Sequence, residues 1–155
     1  MQSPAFDPQQ AHRHFAATCF NKTWEYLDKT DRTAAENLAM ISACHASHWH
    51  WAQYEEHTPE NISIAYWQLA RVYAVTNQPS NAFSYAMLCL KVTQDNHLKP
   101  FCLAYAYAYE ALARAASVAN KPEEVETYKQ QAKNIAESDL EGDEKQQLLD
   151  DLNTI

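Results

Sequence analysis

A chain of 155 residues is long enough to bury roughly 68–70% of its unfolded surface without disulfides or metal, and it carries a single glycine, Gly142. Lacking the residue that hairpin turns and phosphate-cradling loops need, while rich in Ala, Leu, Gln, Glu and Lys, it is expected to be all-α. Its formal charge of -8 is concentrated in residues 121–155, where ten acids and four bases give net -6, and no Lys/Arg cluster interrupts the negative field, so nucleic acid is disfavoured as a partner.

Asp7-Pro8 supplies an N-cap followed by a residue whose missing N–H costs nothing at the first helical position, which predicts helix 1 from there to about Asp28. Its inward side is expected to hold Phe15, Cys19, Trp24 and Leu27. DKTDRT is a polar turn, and the Thr33/Glu36 capping-box pair opens helix 2, running to about Tyr54. Thr58-Pro59 repeats the start signal for helix 3, whose Ile62, Tyr66, Leu69, Ala70 and Tyr73 recur at helical spacing.

Asn77-Gln78-Pro79 ends helix 3. Helix 4 then starts at Pro79, with Ala82, Phe83, Ala86, Cys89 and Leu90 expected inside, and fades near His97. Pro100 starts helix 5, to about Ala119, and Asn120-Lys121-Pro122 punctuates before helix 6, which runs to about Glu137. Asp143 to Leu152 forms a short terminal helix, with Leu148, Leu149 and Leu152 covering the last pair.

Cys19, Cys44, Cys89 and Cys102 fall inside apolar helical patterns with no CxxC pair, so they are read as small core residues. MQSPAFDPQQAHRH has no basic start followed by an apolar run. FCLAYAYAY is ended by Glu110 and Arg114 well short of a membrane-spanning length. A soluble, cytoplasmic protein with no membrane association is the expectation.

A shift of 43 residues lays Tyr66, Leu69, Ala70, Arg71, Val75, Asn77, Pro79 and Tyr85 on Tyr109, Leu112, Ala113, Arg114, Val118, Asn120, Pro122 and Tyr128. The same shift backwards lays Trp67 on Trp24, Ala82 on Ala39 and Cys89 on Ala46, so a degenerate first copy spans helices 1 and 2. The chain therefore reads as one domain of three helical hairpins, at about residues 8–54, 59–97 and 100–137, with a capping helix over 143–152.

Small residues where the two helices of a hairpin approach, with Leu and Tyr at the wider ends, make this unit resemble a tetratricopeptide repeat. Leu69-Ala70, Tyr73, Ala82, Cys89 and Leu90 carry the likeness, followed by Leu112-Ala113, Val125 and Ala132. The resemblance spans about residues 10–137; the period exceeds the usual ~34 residues and the first-helix glycine is missing. NKTWEYLDKTDRT, HASHWHW and YEALARA also look similar to a group of uncharacterised bacterial tetratricopeptide-like proteins. This resemblance implies a short right-handed solenoid whose first helices line a concave face.

Carried over residue by residue, the groove positions are Asn21, Trp24, Trp67, Arg71, Glu110 and Arg114. Aromatic planes beside guanidinium groups suit a peptide segment, a partner helix or a carboxylate. In the competing reading Glu110 and Arg114 are an i,i+4 surface pair, Arg71 is solvated and both tryptophans are core.

HASHWHW places His45 and His48 one turn apart, within reach of one metal, with a third ligand such as Glu25 or His12 still to be supplied. His45 also falls in the stripe of Leu38, Ile41, Trp49 and Ala52, which suits a hydrogen-bonded core histidine. No phosphate loop, HExxH or GxSxG motif occurs, so no catalytic residue and no cofactor are implied. The first expectation is a module that binds a protein or peptide in its groove. The alternative is a small-ligand or metal sensor, or an enzyme, centred on His45 and His48, and a homodimer through an uncovered hairpin face is a third.

Overall fold

The computed structural model describes residues 6–98 and 101–155, apart from the side chains of Phe101 and Cys102. The described residues form seven α-helices and no strand: α1 Pro8–Leu27, α2 Ala34–Gln53, α3 Pro59–Val75, α4 Pro79–Asn96, α5 Phe101–Val118, α6 Pro122–Asp139 and α7 Gly142–Leu152. The expected start of the fifth helix at Pro100 and the core placement of Cys102 lie outside what is described.

The start signals act as their chemistry requires. The Asp7 carboxylate accepts from the N–H groups of Gln9 and Gln10, and Thr33 and Glu36 satisfy each other's backbone donors in a full capping box. Thr58 forms a second box, with Asn61 in the place of the usual Glu. No helix among the described residues is long and apolar enough to cross a membrane.

Backbone geometry bears out the 43-residue register between the second and third copies. Asn77 and Asn120 both take φ 57° just past the ends of α3 and α5. The Gln78 N–H then reaches back to the Tyr73 carbonyl at 2.8 Å, and that of Lys121 to the Ala116 carbonyl at 3.1 Å. This is the left-handed helix stop usually built on glycine; in a chain with one glycine, asparagine, which tolerates that conformation, takes the role. The tyrosines keep register too: Tyr66 stacks on Tyr85 with centroids 6.1 Å apart, and Tyr109 on Tyr128 at 6.3 Å.

Short connections make successive helices pack as hairpins, α1 with α2, α3 with α4 and α5 with α6. Between hairpins, α3 also packs on α5, whereas α2 and α4, or α4 and α6, make no comparable contact. From α3 onward the odd-numbered helices α3, α5 and α7 thus form the closer layer while the even-numbered ones splay, and α1 meets α3 through side chains, with Gln68 donating to the Phe20 carbonyl at 3.1 Å. Alanine allows the close approaches: Ala82, Ala86, Ala106, Ala108, Ala113, Ala132 and Ala136 are all fully buried. The short α7 repeats the pattern, packing on α5 and α6 as α5 does on α3 and α4, with Leu148 and Leu152 fully buried against Ala106, Ala132, Ala136 and Leu140.

Four expected core residues are instead exposed: Phe15, Leu38, Trp49 and Phe83. In α2 the buried residues are Met40, Cys44 and Ser47, not the stripe of Leu38 and Trp49. The cause is visible in AAENLAMISACHASHWHWAQ, which carries apolar residues around its whole circumference, so the pattern has no phase. Ser47 is buried because its hydroxyl donates to the Ala16 carbonyl at 2.8 Å, which joins α2 to α1.

Candidate functional site: a buried ion network beside two apolar cavities

Trp24, Trp67 and Glu110 occupy one position of the repeat on α1, α3 and α5, and the fold stacks them in that order. The indole rings of Trp24 and Trp67 lie 5.7 Å apart, and Trp67 Nε1 donates to Glu110 Oε2 at 2.9 Å. One helical turn further on, Arg71 and Arg114 occupy the next position. Arg71 Nη2 donates to Glu110 Oε1 at 3.0 Å, and Arg114 donates to the same oxygen through Nε at 2.9 Å and Nη2 at 2.7 Å. The Glu110 carboxylate is fully buried, and the two guanidinium groups are only 14% and 13% exposed.

A second acid completes the network from α7. Asp151 Oδ1 stands 3.9 Å from Arg71 Nη2, its Oδ2 accepts from the Tyr107 hydroxyl at 2.9 Å, and its backbone carbonyl accepts from Arg114. Thr154 accepts a further Arg114 hydrogen bond at 2.8 Å. Burial, followed by the charge of Asp151, pushes the Tyr107 hydroxyl well above the usual tyrosine range, so it acts as a donor. Arg71 lies over the Trp67 ring at 5.3 Å, and its Nε has no partner among the described residues. Two arginines and two carboxylates neutralise one another here, and a buried charge group of this kind is tolerated only when so paired.

Five of the six groove residues read from the sequence are therefore in one neighbourhood. Asn21 is not among their contacts: it is exposed and lines a cavity of about 210 Å³ together with Phe20, Trp51 and Ile64. A second cavity, of about 130 Å³, opens between α3 and α5 and is lined by Ile64, Trp67, Cys89, Leu103 and Tyr107. Ile64 is 40% exposed and borders both. At the floor of the second cavity burial pushes the Cys89 thiol up to about 11, so it is a small apolar wall and not a nucleophile.

The histidine-rich end of α2 is divided between two surroundings. His45 Nε2 and the Tyr73 hydroxyl are 2.7 Å apart, and the His48 ring packs on Tyr66 at 4.8 Å. Burial depresses the pKa of both, with the neighbouring His45 adding to the effect at His48. His12, considered above as a third ligand for these two, instead pairs with His50 at 2.9 Å. No group of three or more His, Cys, Asp or Glu side chains suited to a metal occurs among the described residues.

Sequence reasoning missed Asp151, Tyr107 and Thr154 as partners of the arginines. Asp151 sat in an acidic tail that looks like a solvated face, and only the three-dimensional return of α7 to α5 brings it to Arg71. Tyr107 lies within the FCLAYAYAY run, whose spacing alone does not give its direction. No family model, curated protein or solved structure matches the chain.

Proposed function

We propose that this chain is a small tetratricopeptide-like interaction module, a right-handed stack of hairpins whose α1, α3 and α5 face is a concave groove for a peptide segment or partner helix. The observation that carries this reading is Ile64, a partly exposed apolar ridge between two apolar cavities. Such an arrangement suits a ligand that presents two apolar side chains along one edge, one to each cavity. Asn21 and Asn61 border the first cavity and Glu60 the second, giving polar groups that can orient a backbone or a basic side chain.

The arginines play a different part from the one their sequence positions imply. Since Glu110 and Asp151 already neutralise them, a ligand carboxylate would have to displace a buried counterion. The ion network is the rigid back of the groove, and recognition belongs to the apolar cavities. A net charge of -8 favours a neutral or basic segment over an acidic one.

Selection from a library of displayed random peptides tests this. Enriched sequences should share two apolar residues at fixed spacing, and Ile64→Lys should weaken their binding by at least about tenfold, equivalent to about 1.4 kcal/mol. Phe83→Lys, on the splayed α4 surface, should leave binding unchanged. If no peptide is enriched, or if Ile64→Lys binds as the parent does with its helical content intact, the groove assignment is wrong.

A further inference from the structure

We propose, resting on the groove reading above, that the bound segment carries a Lys or Arg beside the apolar residue that fills the second cavity, and that this cation pairs with Glu60. The pairing gives the ligand a charge and fixes the direction in which it lies.

Two positions of the repeat line the groove. One is held by Ala17, Glu60 and Leu103 and the next by Asn21, Ile64 and Tyr107, on α1, α3 and α5 in that order. The first cavity lies at the step from the first copy to the second, and the cavity of about 130 Å³ at the step from the second to the third. Glu60 is therefore a carboxylate at a position that is apolar in the copies on either side. It is exposed, and so stands at the mouth of the second cavity.

The other polar side chains of that cavity are engaged within the fold. Ser63 Oγ lies 3.1 Å from Thr93 Oγ1 and 3.6 Å from Cys89 Sγ, Trp67 Nε1 donates to Glu110, and the Tyr107 hydroxyl donates to Asp151. Glu60 has no hydrogen bond or ion pair among the described residues. Its place in the first turn of α3 suits the helix dipole, a role that leaves the carboxylate in water.

A segment that fills the cavity covers this carboxylate. Stripping water from an unpaired carboxylate is unfavourable unless a cation takes the water's place. Lysine and arginine can lay their methylene stems along apolar walls such as Ile64 and Leu103 while the charged head meets Glu60. Arg71 and Arg114 do not serve, because Glu110 already holds both. The first cavity is bordered by the neutral amides of Asn21 and Asn61, so the demand for a cation falls at one end of the groove only.

The experiment selects displayed random peptides on the parent chain, on Glu60→Gln and on Glu60→Lys, all with matching helical content. The parent should enrich Lys or Arg at one fixed distance from one residue of the apolar pair. Glu60→Gln should keep the pair and lose the basic residue, and Glu60→Lys should enrich Asp or Glu in its place. In a synthetic peptide from the parent selection, replacing the basic residue by glutamine should weaken binding about two- to fivefold, the range of a partly exposed ion pair. The same replacement should change nothing with Glu60→Gln, and the difference in the parent should shrink at high salt. If parent and Glu60→Lys enrich the same apolar pair with no charge at a fixed position, or if the basic residue matters equally with Glu60→Gln, the proposal is overturned while the groove stands. If the parent enriches no peptide, the groove and this proposal fall together.

Discussion

Trp67 Nε1 donates to Glu110 Oε2 across 2.9 Å, although the two residues are 43 positions apart and hold the same place in consecutive repeats. The third copy thus replaces a tryptophan with an acid that the second copy's tryptophan can bond. The same acid attracts both repeat-related arginines, so one substitution within a repeated position organises charge across α3, α5 and α7.

Glu110→Gln should be among the most damaging single changes, because Arg71 and Arg114 would keep their burial and lose their main counterion. Breaking a buried pair from one side costs about 3–5 kcal/mol, or roughly 10 °C of melting temperature in a chain this size. Trp67→Phe should cost about 1.5–3 kcal/mol through the lost bond to a charged acceptor, and less once Glu110 is already Gln. Urea unfolding of the two single variants and the double checks both; additive losses would show that the indole bond is not coupled to the network.

The two left-handed asparagines permit a cleaner comparison. Asn77→Gly and Asn120→Gly should leave stability unchanged or raise it by a few tenths of a kcal/mol, whereas Asn77→Ala and Asn120→Ala should each lose about 1 kcal/mol, since the backbone at φ 57° crowds a Cβ that lacks asparagine's local hydrogen bonding. The pairs should behave alike because their cap geometries match. Alanine variants as stable as the parent would refute the strain argument.

These caps explain why so much of the fold was legible. Asn77-Gln78-Pro79 and Asn120-Lys121-Pro122 are local signals whose chemistry acts within a few residues, so helix boundaries and the register could be read from them. The buried face of α2 could not, because its apolar residues surround the helix and packing against α1 and α3 chose among them; Leu38 lost and Ser47 was buried. At the candidate site the register found Trp24, Trp67, Arg71, Glu110 and Arg114. It could not tell that the arginines would be neutralised internally, because Asp151 arrives from a helix outside the repeat.

The terminal helix should consequently be structural as well as electrostatic. Leu148→Ala and Leu152→Ala each remove a fully buried side chain from the alanine-lined contact with α5 and α6, and each should cost about 2–5 kcal/mol. Asp151→Asn should cost less than Glu110→Gln, since Asp151 is partly exposed and stands 3.9 Å from Arg71. Thermal and urea unfolding give the ranking; an Asp151→Asn loss equal to that of Glu110→Gln would place the weight of the network on α7 instead of α5.

Acid should weaken the fold through His45 in a defined direction. Burial depresses its native pKa below the unfolded value of about 6.5, so between those two values the unfolded chain binds more protons and stability rises with pH. The contribution is complete above about pH 6.5, is lost as pH falls toward the depressed value, and levels off below it. His48 and His50 are depressed by burial as well and add in the same sense. His45→Gln removes one titrating group while leaving an amide that can reach Tyr73, 2.7 Å away in the parent. Urea midpoints measured from about pH 7.5 to 5.5 should fall less steeply for the variant than for the parent, and parallel curves would show that His45 is not buried neutral in the native state.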